Sequence, residues 1–189
     1  MAQKKKDWNG LISGFKASDL VFLDESGCNT DMTRRYAYSL GGSRAVDSAP
    51  LSKPKNTTIL SSIQLDGTLR YTTFSGGTTV ERFKRYLETD LLPHLNGNSV
   101  LIMDNMKSHH AKAVKNLLDS SEIRYIYLPP YSPDLNPIEK LWSKVKAFLR
   151  KFKARTLDAL PNAILCAFQT VSPSDCSGWF HSCGYSPHF

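Results

Sequence analysis

Three acidic residues stand where chemistry has a use for them. Asp24 closes the apolar run Val21-Phe22-Leu23, Asp104 closes Leu101-Ile102-Met103, and Glu139 opens a long amphipathic stretch after Asn136-Pro137. A carboxylate at the carboxyl end of a buried strand is where open α/β sheets place ligand-handling groups. Each acid also has an ordinary structural explanation. Asp commonly starts the turn that follows a strand, and Glu139 has the spacing of a capping residue, with Asn136 as N-cap and Pro137 at the first helical position. As a set on separate elements, however, the three can meet only in the folded chain. Such a set of hard oxygen ligands suits Mg²⁺ or Mn²⁺, with water and phosphate in the remaining positions. Two ions roughly 3.5–4 Å apart support in-line displacement at phosphorus, activating water and neutralising phosphate charge. No Ser/His/Asp or Cys/His nucleophile set, phosphate-cradling glycine loop or zinc-ligand spacing competes for this role.

The elements that must position these acids read as one α/β domain. With 189 residues and 41% hydrophobic content the chain can bury a proper core. Residues 1–18 are polar and unpatterned, a tail or linker remnant, and 19–189 form the domain. "DLVFLDES" reads as a buried strand, "YAYSLGG" as a short strand or hairpin arm, and Ala45 to Asn56 as a loop. "TTILSSIQLDGTLRYTTFSGG" alternates on both sides of Leu65-Asp66-Gly67, the pattern of a hairpin. The period then changes. Thr78 and Glu81 are spaced as a capping box before a helix with Val80, Phe83, Leu87 and Leu91 inward. "SVLIMDN" is a strand, "HHAKAVKNLLDSS" a helix and "IRYIYL" a fifth strand. A long helix follows with Ile138, Leu141, Trp142, Val145, Phe148, Leu149 and Phe152 on one stripe, then a last helix near 157–171 and an irregular tail. This order predicts a mixed five-stranded sheet flanked by helices, matching a ribonuclease H-like fold while leaving other α/β folds open.

Charge and cysteine usage limit the setting. The longest apolar run is six residues, Ala163 to Phe168, and Lys4 to Lys6 lead into polar sequence, so neither a membrane span nor a secretory signal is expected. Cys28, Cys166, Cys176 and Cys183 form no CxxC pair, which points to reduced thiols and a cytoplasmic or nucleoid location. Cys176, His181 and Cys183 lack a second pair for zinc, so buried thiols are expected. The net charge is +7, and Lys140 to Arg155 holds seven Lys/Arg and no acid. That run suits a polyanion, although a solvated helix face explains basic runs equally well. Trp142, Trp179 and the tyrosines of "YIYLPPY" read as core and loop anchors.

The three blocks "FLDES", "LIMDNMKSHH" and "LPPYSPDLNPIEKLW" resemble the catalytic motifs of the DDE transposases of the mariner superfamily, in particular its bacterial insertion-sequence branch. Thirty-four residues separate Asp104 from Glu139, the spacing typical of that superfamily, and the likeness runs from about Asp19 to the closing "DCSGWFHSCGY". The resemblance implies that Asp24, Asp104 and Glu139 bind two Mg²⁺ or Mn²⁺ ions. It implies hydrolysis of DNA at the ends of a mobile element, then attack of the freed 3′-hydroxyl on target DNA, commonly at a TA step. Asn105 and His109 fall on motif positions and are expected beside the site as positioning or phosphate-contacting groups.

The same resemblance sets the expected partners. Double-stranded DNA, as terminal inverted repeats and as target, is the substrate, and pairing of two ends implies a homodimer in the active complex. Complete members carry an amino-terminal helix-turn-helix region; the resemblance leads us to expect it to be absent from this chain, and to lie on an upstream polypeptide or to have been lost by truncation. Around the long helix, at about 100° per residue, Lys146 and Arg150 share the flank of Glu139 and are expected to follow the DNA backbone. The competing readings are a catalytically silent, DNA-binding or regulatory remnant, and a nuclease acting on RNA-DNA hybrids.

Overall fold

The protein folds around β1 (Leu20–Cys28), whose first four residues are apolar because both faces of the sheet are covered there. The computed structural model describes residues 2–34, 36–48, 50 and 54–185, with residues 2–6 as backbone alone. β2 (Thr57–Ile63) and β3 (Leu69–Ser75) extend the sheet on one side as an antiparallel hairpin. β4 (Val100–Met103) and β5 (Arg124–Tyr127) extend it on the other, both parallel to their neighbours. The spatial order β3-β2-β1-β4-β5 is the mixed five-stranded sheet expected from the order of elements.

Helices cover both faces. α2 (Val80–Tyr86) and α3 (Lys112–Ser120) bury Phe83, Tyr86, Val114 and Leu118 against Val21, Leu23, Leu101 and Met103. α4 (Ile138–Phe152), α5 (Ala159–Gln169) and α6 (Pro173–Ser182) pack on the opposite face, against Leu20, Phe22, Val100 and Ile102. The split follows from strand alternation: successive side chains of β1 leave on opposite sides. After α2 the chain passes through one π-helical turn, Leu87–Leu91, which places Leu87 and Leu91 in the core.

Several expectations need correction. Within the stretch read as a tail or linker remnant, α1 (Ala2–Ile12) forms, and Trp8 and Ile12 pack in the domain core. Trp8 is 3% exposed, and its indole N–H donates to the Tyr185 hydroxyl at 3.0 Å. Among the described side chains of α1, Trp8 and Ile12, one helical turn apart, face the core, too few apolar positions in a polar segment to stand out. "YAYSLGG" forms no strand; Tyr36, Tyr38 and Leu40 are exposed in the connection from β1 to β2. α2 is capped by Thr79, one residue later than predicted, whose hydroxyl accepts from the Arg82 amide at 3.3 Å. The tail after residue 171 contains α6, opened by a capping box between Ser172 and Asp175.

Candidate active site

The strand register sets Asp24 beside Asp104. β1 and β4 run parallel with Leu23 opposite Met103; Asp104 follows the last residue of β4, whereas β1 continues past Asp24 to Cys28 in its pairing with β2, so Asp24 lies within the strand and not at the expected carboxyl end. Asp24 is 8% exposed. Its Oδ1 accepts from the Glu25 amide at 2.7 Å and its Oδ2 from the Trp142 indole N–H at 3.1 Å. Burial, reinforced by the nearby Asp104 and Glu25 charges, pushes the Asp24 carboxyl up to about 7. Asp104 is partly open to solvent. Burial acts to raise its pKa as well, yet hydrogen bonds from His109 and the Met106 amide outweigh that and hold it below the ordinary carboxylate value.

The third acid arrives on a stiffened connection. Leu128 donates its amide to the Met103 carbonyl at 2.8 Å, which ties the exit of β5 to the end of β4. Pro129, Pro130, Pro133 and Pro137 then restrict the backbone across the next nine residues. The Pro133–Leu135 3₁₀ turn is anchored by the Tyr185 hydroxyl, which donates to the Leu135 carbonyl at 2.6 Å. α4 begins at Ile138, so Glu139 lies in its first turn, exposed. The capping-box geometry does not form. The Asn136 amide donates to Pro133 at 3.1 Å instead of to Glu139, and the Asn136 side-chain oxygen is buried with no hydrogen-bond partner.

Asp24, Asp104 and Glu139 line one open cavity of about 420 Å³, floored by Leu128, Pro130 and Asn136. The structure thus brings together the three acids predicted from the sequence. His109 is wholly buried and packs its ring on Phe83 with centroids 4.2 Å apart. Its Nδ1 lies 2.9 Å from Asp104 Oδ1, and its Nε2 lies 3.2 Å from Glu25 Oε1. Although burial opposes the charged form, these two carboxylates push the imidazole up to about 10. Asn105 lines the cavity, and its side-chain amide donates to the Leu128 carbonyl while its oxygen faces His110 Nε2 at 3.2 Å.

Lys146 and Arg150 do not line the acidic cavity. They border a separate polar hollow of about 400 Å³ beside Cys28, Asn29 and Asp31, farther along α4. Tyr131 departs from its expected role as a loop anchor: it is 94% exposed at the rim of the acidic cavity, at φ 57°.

The sequence reading passed over two contributors. Trp142 was assigned to the apolar stripe, yet its N–H holds Asp24. Glu25 was missed altogether. Glu25, Asp104 and His109 bring ligand atoms within 4.8 Å of one another, a spacing that can hold a metal ion. Only the position of Glu25 in an alternating strand, next to a candidate ligand, hinted that it would reach the other face.

A mixed sheet with one aspartate within its central strand, a second just past the end of the parallel neighbour, and a glutamate on a following helix defines a ribonuclease H-like domain with a three-carboxylate cleft. The chain belongs to the DDE superfamily endonuclease family, whose model matches residues 19–161. Its structure is similar to a Mos1 transposase paired-end complex with left transposon end, at 20% identity and a TM-score of 0.78, over 95% of this chain and 57% of that one. It is similar also to the Mos1 mariner paired-end complex with Mn, at 21% identity and a TM-score of 0.73, over 95% and 58%. For the catalytic domain of Mos1 mariner transposase the values are 18% and 0.66, over 99% and 94%. The chain therefore spans less than two thirds of the first two structures and nearly all of the third. No curated protein matches it. No helix among the described residues is long and apolar enough to cross a membrane.

Proposed function

We propose that the protein is the catalytic domain of a cut-and-paste DNA transposase. It hydrolyses phosphodiester bonds at the ends of its element and joins the freed 3′-hydroxyl to target DNA at a TA step. The observation that carries this reading is the convergence of Asp24, Asp104 and Glu139, from two adjacent strands and a helix start, on one cavity. Membership of the DDE endonuclease family and solved Mos1 complexes with Mn and with Mg support it.

The donor set fits divalent cations. Asp24 is buried next to a second carboxylate, an arrangement that is unfavourable without a positive charge. Asp24, Asp104 and Glu139 would hold two Mg²⁺ or Mn²⁺ ions, which when bound lower the pKa of the attacking water and neutralise the phosphate. The chain's own residues do the positioning. Trp142 orients Asp24, His109 and the Met106 amide orient Asp104, and the proline-rich connection limits the freedom of Glu139. Asn105 joins the end of β4 to the start of that connection through Leu128, so its role in the reading is positioning. Lys146 and Arg150, on the same helix as Glu139, neutralise backbone phosphates away from the cut.

In this reading, end recognition resides on a helix-turn-helix polypeptide, two copies pair the element ends, and the complex acts at the nucleoid. The test uses purified protein with Mg²⁺ or Mn²⁺, supercoiled plasmid, and a duplex bearing a recessed 3′-hydroxyl. Nicking and strand joining that vanish in Asp104→Ala and Glu139→Gln are expected. Equal activity in the wild type and these variants, or none in either cation, overturns the reading.

A further inference from the structure

Glu25 lies one residue from Asp24 but on the other side of the sheet. Asp24 meets Trp142 of α4, whereas Glu25 meets His109, beneath Phe83 of α2. The Glu25 side chain is 7% exposed and does not border the acidic cavity. Its Oε1 faces His109 Nε2 at 3.2 Å, and its Oε2 is buried without a hydrogen-bond partner. A buried carboxylate with half of its acceptors unused is costly unless the interaction it does make matters.

The geometry around His109 supplies that interaction. Its two ring nitrogens point to opposite edges of the imidazole and meet one carboxylate each, Asp104 at 2.9 Å and Glu25 at 3.2 Å. The ring therefore bridges the two acids, one at each nitrogen. On Asp104 the His109 nitrogen and the Met106 amide, at 3.0 Å, both address Oδ1. The other oxygen, Oδ2, has no hydrogen-bond partner among the described residues and belongs to a side chain that borders the cavity. With one oxygen held twice and the other unheld, the carboxylate has a defined orientation.

We propose that Glu25 is a positioning residue of the acidic site: by holding the outer edge of His109 it fixes that ring, and through it the carboxylate of Asp104, with Oδ2 presented to the cleft. This rests on the proposed function in so far as Asp104 is a cation ligand. Outer partners of ligands act in this way at metal sites generally, where their loss costs about 10–100-fold in metal affinity or activity.

The experiment compares the wild-type chain with Glu25→Met, which keeps the length and removes the acceptor, and with Glu25→Gln, which keeps an acceptor oxygen for His109 Nε2–H. Glu25→Ala replaces the Met variant if that does not fold. Two readouts are taken: amide hydrogen exchange at Met106 in EDTA, and Mn²⁺ affinity by calorimetry. The Met variant is expected to exchange faster at Met106, because the Asp104 oxygen that accepts from it is no longer held, and to bind Mn²⁺ about 10–100-fold more weakly. The Gln variant is expected to restore both. Wild-type exchange at Met106 in the folded Met or Ala variant overturns the proposal, as does unchanged Mn²⁺ affinity there when Asp104→Ala has lost it. Faster exchange with no Mn²⁺ binding in any chain, wild type included, upholds the Glu25 to Asp104 linkage and instead overturns the proposed function.

Discussion

Trp142 donates its indole N–H to Asp24 Oδ2 at 3.1 Å, across 118 residues of sequence. Trp142 sits three residues after Glu139 in α4, so the helix that carries one acid is bonded directly to the acid on β1. The relative placement of strand and helix start is held by this bond as well as by the apolar packing of Ile138, Leu141 and Val145.

Trp142→Phe tests that link. The ring remains to fill the core, but Asp24 loses a donor in a buried setting, a change typically costing about 1–3 kcal/mol. Urea denaturation should show the lower stability, and nicking activity should fall with it. An unchanged midpoint with unchanged activity would mean that packing alone places the helix.

The raised pKa of Asp24 makes stability depend on pH in EDTA. Its folded value is about 7 against 3.8 for the unfolded chain, so the folded state binds the proton more tightly. The stabilising contribution is complete below about 3.8, declines between 3.8 and 7, and is gone above 7. The gap in unfolding free energy between Asp24→Asn and wild type should therefore widen in favour of the variant as pH rises through this window. A gap that is flat from pH 4 to 8 contradicts the assignment.

Lys146 and Arg150 flank a hollow apart from the acids. If they contact phosphates, replacing both with Gln should weaken binding by a similar factor on unrelated duplexes and reduce the salt slope of log affinity by about 2. Gel-shift titrations at several salt concentrations measure both quantities. Unaltered binding at low salt leaves them an ordinary solvated flank.

Gly67 closes the β2–β3 hairpin at φ 92°, and a Cβ there would lie 3.0 Å from the backbone of Pro173 at the start of α6. Gly67→Ala should cost about 1–3 kcal/mol through the strained dihedral, with added cost from the contact. Thermal denaturation and the signal of Trp179 on α6 report the two effects. An unchanged melting temperature would show that the turn relaxes freely.

Much of the fold was readable from local patterns. The runs ending at Asp24 and Asp104, the alternation around Asp66-Gly67 and the stripe from Ile138 to Leu149 each report which side of an element is buried. The acids were readable for the same reason, since each stands where an apolar pattern ends or begins. α1 was hidden because Trp8 and Ile12 are isolated apolar positions in a polar segment. α6 was hidden because its mixed composition outweighed the Ser172 and Asp175 signal that caps it. The stretch 36–42 forms no strand: Tyr36, Tyr38 and Leu40 are exposed and pair with no strand of the sheet.

The amino-acid sequence by itself determined the elements and the acids that border their apolar runs, because strand and helix periodicity depends on neighbours two to four residues away. Tertiary structure alone decided which side chains hold those acids. The Glu25 to His109 and Trp142 to Asp24 contacts span 84 and 118 residues, and both depend on the register between β1 and β4 and on which face each residue of β1 presents. Contacts of that range leave no periodic trace in the chain, since they exist only once the sheet has brought distant segments side by side.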